Sequence, residues 1–338
     1  MVTPSSTPHP SAPKIRPPKA PRSAGPVKSL WRRMPPAVFP SIFGLFGLGL
    51  ALRRAAASFA LPAAIGEIVL GAVTLLYLAA LAMYLAKSLR RPAALVEDLR
   101  ILPGRAGVTT MVLSLYLLSL VLAPYDGAGA LWILYAGFAL HLVLVALVLF
   151  VYATGPAEQR RVNPVWHLIF VGPIIGALAA LTFELYSLAL VIFAISALLA
   201  ALIWSVSLDQ ILKEDVPGPL RPLLAIHLAP LALLGLVAEG LELQVVAGGF
   251  AAISAMLLAW LVLRVRWLTA WGFSALWGAF TFPLAATASL WIAVGGIWRV
   301  PGALALVLAL LVILPIAAQV LRLWFRGTLA VKTNAASA

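Results

Sequence analysis

Few side chains in this sequence could do chemistry, and nearly all of them are histidines and arginines set in or beside long apolar runs. His141, His167 and His227 lie inside such runs. His227 stands three residues before Pro230, beside the backbone carbonyl that a proline within a helix leaves without a partner. Two roles fit it: a hydrogen-bonded structural imidazole, and a pH-sensitive gate, because imidazole changes charge near neutral pH. Two or three histidines make a metal site only with convergent geometry that the sequence does not show, so no metal and no other cofactor is expected. There is no cysteine, which excludes disulfides, thiolate ligation and a cysteine nucleophile. The sequence also contains no Gly-rich phosphate loop, Gly-x-Ser-x-Gly, His-Glu-x-x-His or Ser/His/Asp grouping, and an enzyme is not expected. GPIIG at 172–176 reads as a small-residue packing motif or part of a kink. What remains is the chemistry of charge. Arg105, Arg221 and Arg266 fall near the ends of apolar runs, where they would either draw an anion towards a mouth or only mark orientation.

The elements that must position these groups are membrane spans. The chain has 338 residues, is 63% hydrophobic and 10% charged, and has a mean hydropathy of +1.05, which no soluble globular class matches. Ten apolar spans are predicted at 35–52, 64–86, 103–123, 128–152, 164–183, 186–208, 219–238, 244–263, 269–295 and 301–321. The formal net charge of +13 does not point to nucleic acid, because the cations concentrate in loops and tails on one side. With the N-terminus inside, 21 of the 24 Lys and Arg are inner, and only Arg53, Arg54 and Arg299 are outer. Both termini are therefore expected in the cytoplasm of a multi-pass protein of the cell (inner) membrane. Residues 1–34 carry seven Lys/Arg, no acid and many Pro and Ser, and are expected to be a disordered basic cytoplasmic tail. The tail's charge serves topology or touches anionic lipid. Residues 35–328 would form the ten-helix domain, and 329–338 a short cytoplasmic tail.

Prolines mark a repeat. Pro40, Pro173, Pro230 and Pro283 fall inside the first, fifth, seventh and ninth spans, and the last three are 57 and 53 residues apart, about one helical hairpin. A proline inside a helix kinks it and bares a carbonyl, which lipid does not tolerate. Odd-numbered, kinked helices should therefore lie inside and straight, even-numbered ones outside. Two departures stand out: Pro103 comes only at the start of the third span, and Pro315 lies in the tenth.

The ninth span has two unlike faces when read as one helix over 269–295. Phe273, Trp277, Phe280 and Leu284 form a bulky stripe, whereas Ser274, Gly278, Phe282, Ala285 and Ser289 form a small one broken by a single ring. The small face suits either close helix packing or the wall of a narrow path with Phe282 standing in it. No permanently charged acid or base lies in the middle of an odd-numbered span, which fits a pore that admits anions by not repelling them.

SALWGAFTFPLAATAS resembles the ninth transmembrane segment of the tellurite-resistance/dicarboxylate transporter family, through its Trp, its Thr-Phe-Pro and the small Ala/Thr/Ser run that follows. That family includes bacterial tellurite-resistance proteins, fungal malate and sulfite transporters and the plant slow-type anion channels. MPPAVFPSIFGLFGLGLALR (34–53) resembles the family's first segment, and RPLLAIHLAP (221–230) its seventh, with Arg221 where a His is usual. The resemblance implies an all-α integral membrane protein whose ten helices form five hairpins in a quasi-five-fold ring, with the odd helices around a central pore. It also implies a homotrimer and Phe282 as the ring that occludes the pore. The expected partners are small anions and the lipid bilayer, with inorganic anions, sulfite, C4-dicarboxylate or tellurite-related oxyanions as cargo. The alternative is a proton-coupled C4-dicarboxylate carrier that uses an intramembrane histidine.

The charge asymmetry makes a direct prediction. Reporter fusions at positions 126 and 241 should both read as extracytoplasmic; a cytoplasmic signal at either position contradicts the topology.

Overall fold

The structure is a computed structural model that describes residues 30–338. The tail expected over 1–34 therefore lies mostly outside the described residues; Leu30–Arg33 form a short 3-10 turn and Met34 is fully buried. Among the described residues nine helices are long and apolar enough to cross a membrane, and a shorter apolar helix stands among them. In chain order they are α1 (Pro36–Phe59), α2 (Ala64–Arg90), α3 (Leu102–Leu122), α4 (Gly127–Thr154) and α5, the shorter one (His167–Thr182). Then follow α6 (Tyr186–Lys213), α7 (Gly218–Gly240), α8 (Gln244–Leu263), α9 (Ala275–Val294) and α10 (Gly296–Phe325).

Burial sorts them into two layers. In α1, α3, α7 and α9 between 72% and 89% of the most apolar stretch is buried, against 22% to 39% in α2, α4, α6, α8 and α10. Each odd helix packs on the even helix that follows it, giving five hairpins, and each also touches the next odd helix, with α9 closing on α1. The result is an inner ring of five helices inside an outer layer. Each outer helix turns large apolar side chains outward, such as Leu75, Leu142, Leu198, Met256 and Leu311. In water such a surface would be untenable; in lipid it costs nothing.

The prolines explain the inner ring more fully than a kink would. Pro40, Pro103, Pro173, Pro230 and Pro283 each lie in the first turn of an α-helical segment, where an N–H has no intrahelical partner to lose. In four of the five the segment before it is wound differently: 3-10 over Pro36–Val38, Gly218–His227 and Ala275–Phe280, and π over His167–Val171. Pro103 thus occupies the position its four counterparts do, and all five inner helices share the feature. Pro315 lies within continuous helix on the outer layer.

The ring closes along α1 and α9. Thr281 Oγ1 donates to the Gly278 carbonyl at 2.7 Å and reaches the Pro40 carbonyl at 3.2 Å. Gly44 faces this hydroxyl so closely that an added Cβ would lie 2.1 Å from Thr281 Oγ1. Gly44→Ala should therefore overpack the seam and cost on the order of 1–3 kcal/mol, seen as a lower melting temperature in detergent, whereas Gly71→Ala, with open space around it, should not.

Candidate conduction path

All five inner helices contribute to two small cavities on the ring axis. The first, of about 40 Å³, lies towards the N-terminal ends of the odd helices and is lined by Pro40, Pro103, Thr110, Leu223, Gly278 and Pro283 among others. The second, of about 20 Å³, lies further along and is lined by Leu113, His167, Val171, Ile175, Pro230 and Leu233 among others. Phe43 and Phe282 line both. Their rings stack with centroids 4.0 Å apart and 25° between planes, and Phe282 is 5% exposed. The stacked pair thus stands where the two cavities meet. Gly47 leaves room for it: a Cβ there would lie 2.8 Å from Phe282 Cδ2. Phe43 is a residue the sequence did not single out. Phe39, Phe43 and Phe46 all lie on α1 and are all buried, and nothing in their spacing marks one as facing the axis.

No carboxylate lines either cavity, and His167 is the one titratable residue that does. Three expectations about the ninth span need correction. The helix does not run over 269–295; it begins at Ala275 and is 3-10 as far as Phe280. Ser274 is extended backbone ahead of the first turn, so it shares no helical face with Phe282. Ala285 and Ser289 are buried but line neither cavity, whereas Gly278 lines the first.

The histidines are placed differently from expectation. His227 does not serve the carbonyl near Pro230; its Nδ1 lies 3.0 Å from Nε2 of His167. The service expected of it is performed by His141. Pro173 cannot donate to the Ile169 carbonyl, and His141 Nε2 takes that oxygen at 2.8 Å. A carbonyl only accepts, so this ring carries its proton on Nε2. Among the described residues no group of three or more His, Asp or Glu could hold a metal ion.

Nor does the structure bring the three arginines together into a mouth. Arg105 is 3% exposed, donates to the Leu99 carbonyl at 2.9 Å and to Tyr152 Oη at 3.2 Å, and lies over the Tyr152 ring. Arg221 donates to the Val216 carbonyl and stacks on Trp267 at 4.3 Å. Arg266 is exposed on a short helical turn between α8 and α9. Of the three, only Arg105 lines a cavity, a side vestibule of about 360 Å³. That vestibule also holds Arg100, Arg161 and His227, with Glu158, Glu214 and Asp215 opposite, so its charge is mixed rather than basic. Arg161 and Glu214 pair at 2.5 Å with both side chains more than half exposed, an arrangement worth little in water.

The described residues thus form a ring of five hairpins around an apolar axis. Residues 33–323 match the family described as SLAC1, voltage-dependent anion channel, which is most of the 338 residues, and the chain belongs to that family. The resemblance to the tellurite-resistance/dicarboxylate transporters holds at this level. Membership supports anion transport in general and fits a channel or transporter rather than an enzyme. No curated protein matches the sequence.

Substitutions should separate the arginines. Arg266→Gln should leave chloride flux in proteoliposomes unchanged even at low salt, where exposed charges act most strongly. Arg105→Gln should instead lower the yield of folded protein, because its carbonyl partners lose a buried donor. A salt-dependent loss of flux in Arg266→Gln would restore it as part of a mouth.

Proposed function

We propose that this protein is a gated channel for small anions, closed at its centre by Phe282 together with Phe43. The observation that carries the reading is the stacked pair at the junction of two cavities that all five inner helices line. An apolar constriction holds out water, and hydrated ions with it. An aromatic pair of this kind is worth about 0.5–1.5 kcal/mol beyond its burial, so swinging one ring aside is thermally accessible once something favours it. The absence of carboxylates along the cavities removes a repulsion that anions would meet. The N-terminal ends of the inner α segments, which carry partial positive charge, point the same way. Inorganic anions are the cargo this apolar path suits best; sulfite, C4-dicarboxylate and tellurite-related oxyanions are the wider set. The protein would sit in the cell (inner) membrane with both termini in the cytoplasm, as a homotrimer, with residues 35–328 as the transport domain between a basic N-terminal tail and a short C-terminal one.

A second reading, a carrier that moves dicarboxylate with a proton, is favoured by the contact between His167 and His227. The two separate in planar bilayers. A channel gives currents whose reversal follows the anion's Nernst potential and is not shifted by a pH gradient; in a coupled carrier that gradient shifts the reversal.

As a plug, Phe282→Ala should raise anion flux with the fold intact, and Phe43→Ala should do so as well, because each removes half of the same stack. As a packing residue, Phe282→Ala should leave a cavity costing on the order of 3–5 kcal/mol, and flux should fall with the amount of folded protein. A Phe282→Ala protein that folds normally and conducts no better than the wild type removes the gate.

A further inference from the structure

The His167–His227 contact has a chemistry that packing does not require. The rings stand at 85° with centroids 5.1 Å apart, and Nε2 of His167 lies 3.0 Å from Nδ1 of His227. That contact is a hydrogen bond only if one of the two nitrogens carries a proton and the other does not. Each neutral imidazole holds one proton, so two arrangements exist. With His167 donating, His227 Nε2 is N–H and His167 Nδ1 is bare; with His227 donating, these end states exchange. Both end nitrogens, His167 Nδ1 and His227 Nε2, are buried and have no partner, and the residues are 2% and 8% exposed. A buried polar atom without a partner calls for a water or an ion to complete it, and here both atoms belong to residues that line cavities. The residues also open to different spaces. His167 lines the second axial cavity and His227 lines the side vestibule, so the pair bridges the wall between them.

We propose that the His167–His227 pair is an anion site whose occupancy is tied to one proton. In the arrangement with His227 donating, a proton from vestibule water adds to the bare His227 Nε2, and the central N–H···N bond is kept. The product is a monocation with an N–H at each end, able to hold a halide or a small oxyanion beside the path by a charge-assisted hydrogen bond. The inference rests on the anion-channel reading and names a site within it. No neighbour supplies the charge instead. Trp204 of α6 lies against His167 as an aromatic ring, with centroids 5.5 Å apart, and His141 of α4 is engaged by the Ile169 carbonyl. Arg105 of α3 is held by the Leu99 carbonyl and Tyr152, and the short turn before α9 presents Arg266 to the exterior. The vestibule is lined by Arg100, Arg105 and Arg161 and equally by Glu158, Glu214 and Asp215, with Arg161 paired to Glu214, so the side it opens to is not uniformly basic. The cation is present below the pair's midpoint and is lost as pH rises through it.

The test uses full-length protein with 15N-labelled histidine in micelles, titrated from about pH 8 down to about pH 3.5, first in gluconate and then in chloride. Two histidines should titrate as one unit, and chloride should raise their common midpoint, because a ligand that prefers the protonated form draws the proton with it. Chloride flux into proteoliposomes should rise several-fold over the same range, and His167→Gln, His227→Gln and the double variant should flatten that rise equally. Independent titration, a midpoint indifferent to chloride, or a pH rise kept in folded Gln variants overturns the proposal. If the variants do not fold, the wild-type titration decides alone. Wild-type protein that moves no anion at any pH, yet shows the chloride-dependent midpoint, refutes the channel and leaves the site standing.

Discussion

Lipid offers no hydrogen bonds, so every backbone group inside the bilayer must find its partner within the protein. This constraint shapes the inner ring, where one proline at the start of each of the five α segments removes a donor. The protein meets it in two ways. It places each proline in the first turn of an α segment, where the missing N–H would have had no intrahelical acceptor. It then spends a polar side chain on a carbonyl that a proline leaves over, His141 on that of Ile169. Such breaks are tolerable away from lipid, and four of the five inner helices carry one, whereas Pro315 of the outer layer lies within continuous helix. The layering and the prolines are one fact seen from two sides.

The seam that closes the ring also carries the aromatic pair. Gly44 and Gly47 lie on one face of α1, one against Thr281 and the other against Phe282. The contact that joins the last inner helix to the first is thus made by the residues next to Phe282, and any shift of α1 against α9 moves both rings. A stack worth about a kilocalorie set beside a rigid backbone contact can open without unfolding the seam. Sequence spacing could not place Phe43 opposite Phe282, since that pairing joins the two ends of the domain.

Hydropathy made the spans legible, because lipid imposes a length and an apolar surface on each span independently of the others. The prolines carried the repeat, and Pro103 fitted it better than its position at a helix start suggested. What stayed hidden depends on winding or on contact between helices. Ser274 was placed on the face of Phe282 by assuming 100° per residue throughout. Six residues of 3-10 helix advance about 120° each instead, which displaces the register by about a third of a turn before Phe282 is reached. His227 and Pro230 are one turn apart in sequence, yet the ring nitrogen found His167 on another helix, and the freed carbonyl belonged to Pro173 and was met from a third.

The arginines show why a charge count says little about a conduction path. A net charge of +13 gives no field at the axis if each cation is already committed. Arg105 is held by carbonyls and Tyr152, Arg221 by a carbonyl and Trp267, and Lys87 is wholly buried with Asp98 at 2.7 Å. The vestibule adds as many carboxylates as guanidinium groups. Along the axis itself the lining is apolar and its single titratable side chain is His167. Attraction for an anion must then come from backbone dipoles at the inner helix starts, which are fixed, and from any proton the histidine pair takes up, which is not. If the pair takes up a proton as proposed, that is the one charge among the residues lining the axial cavities, and it lies within the ring rather than at an exposed end.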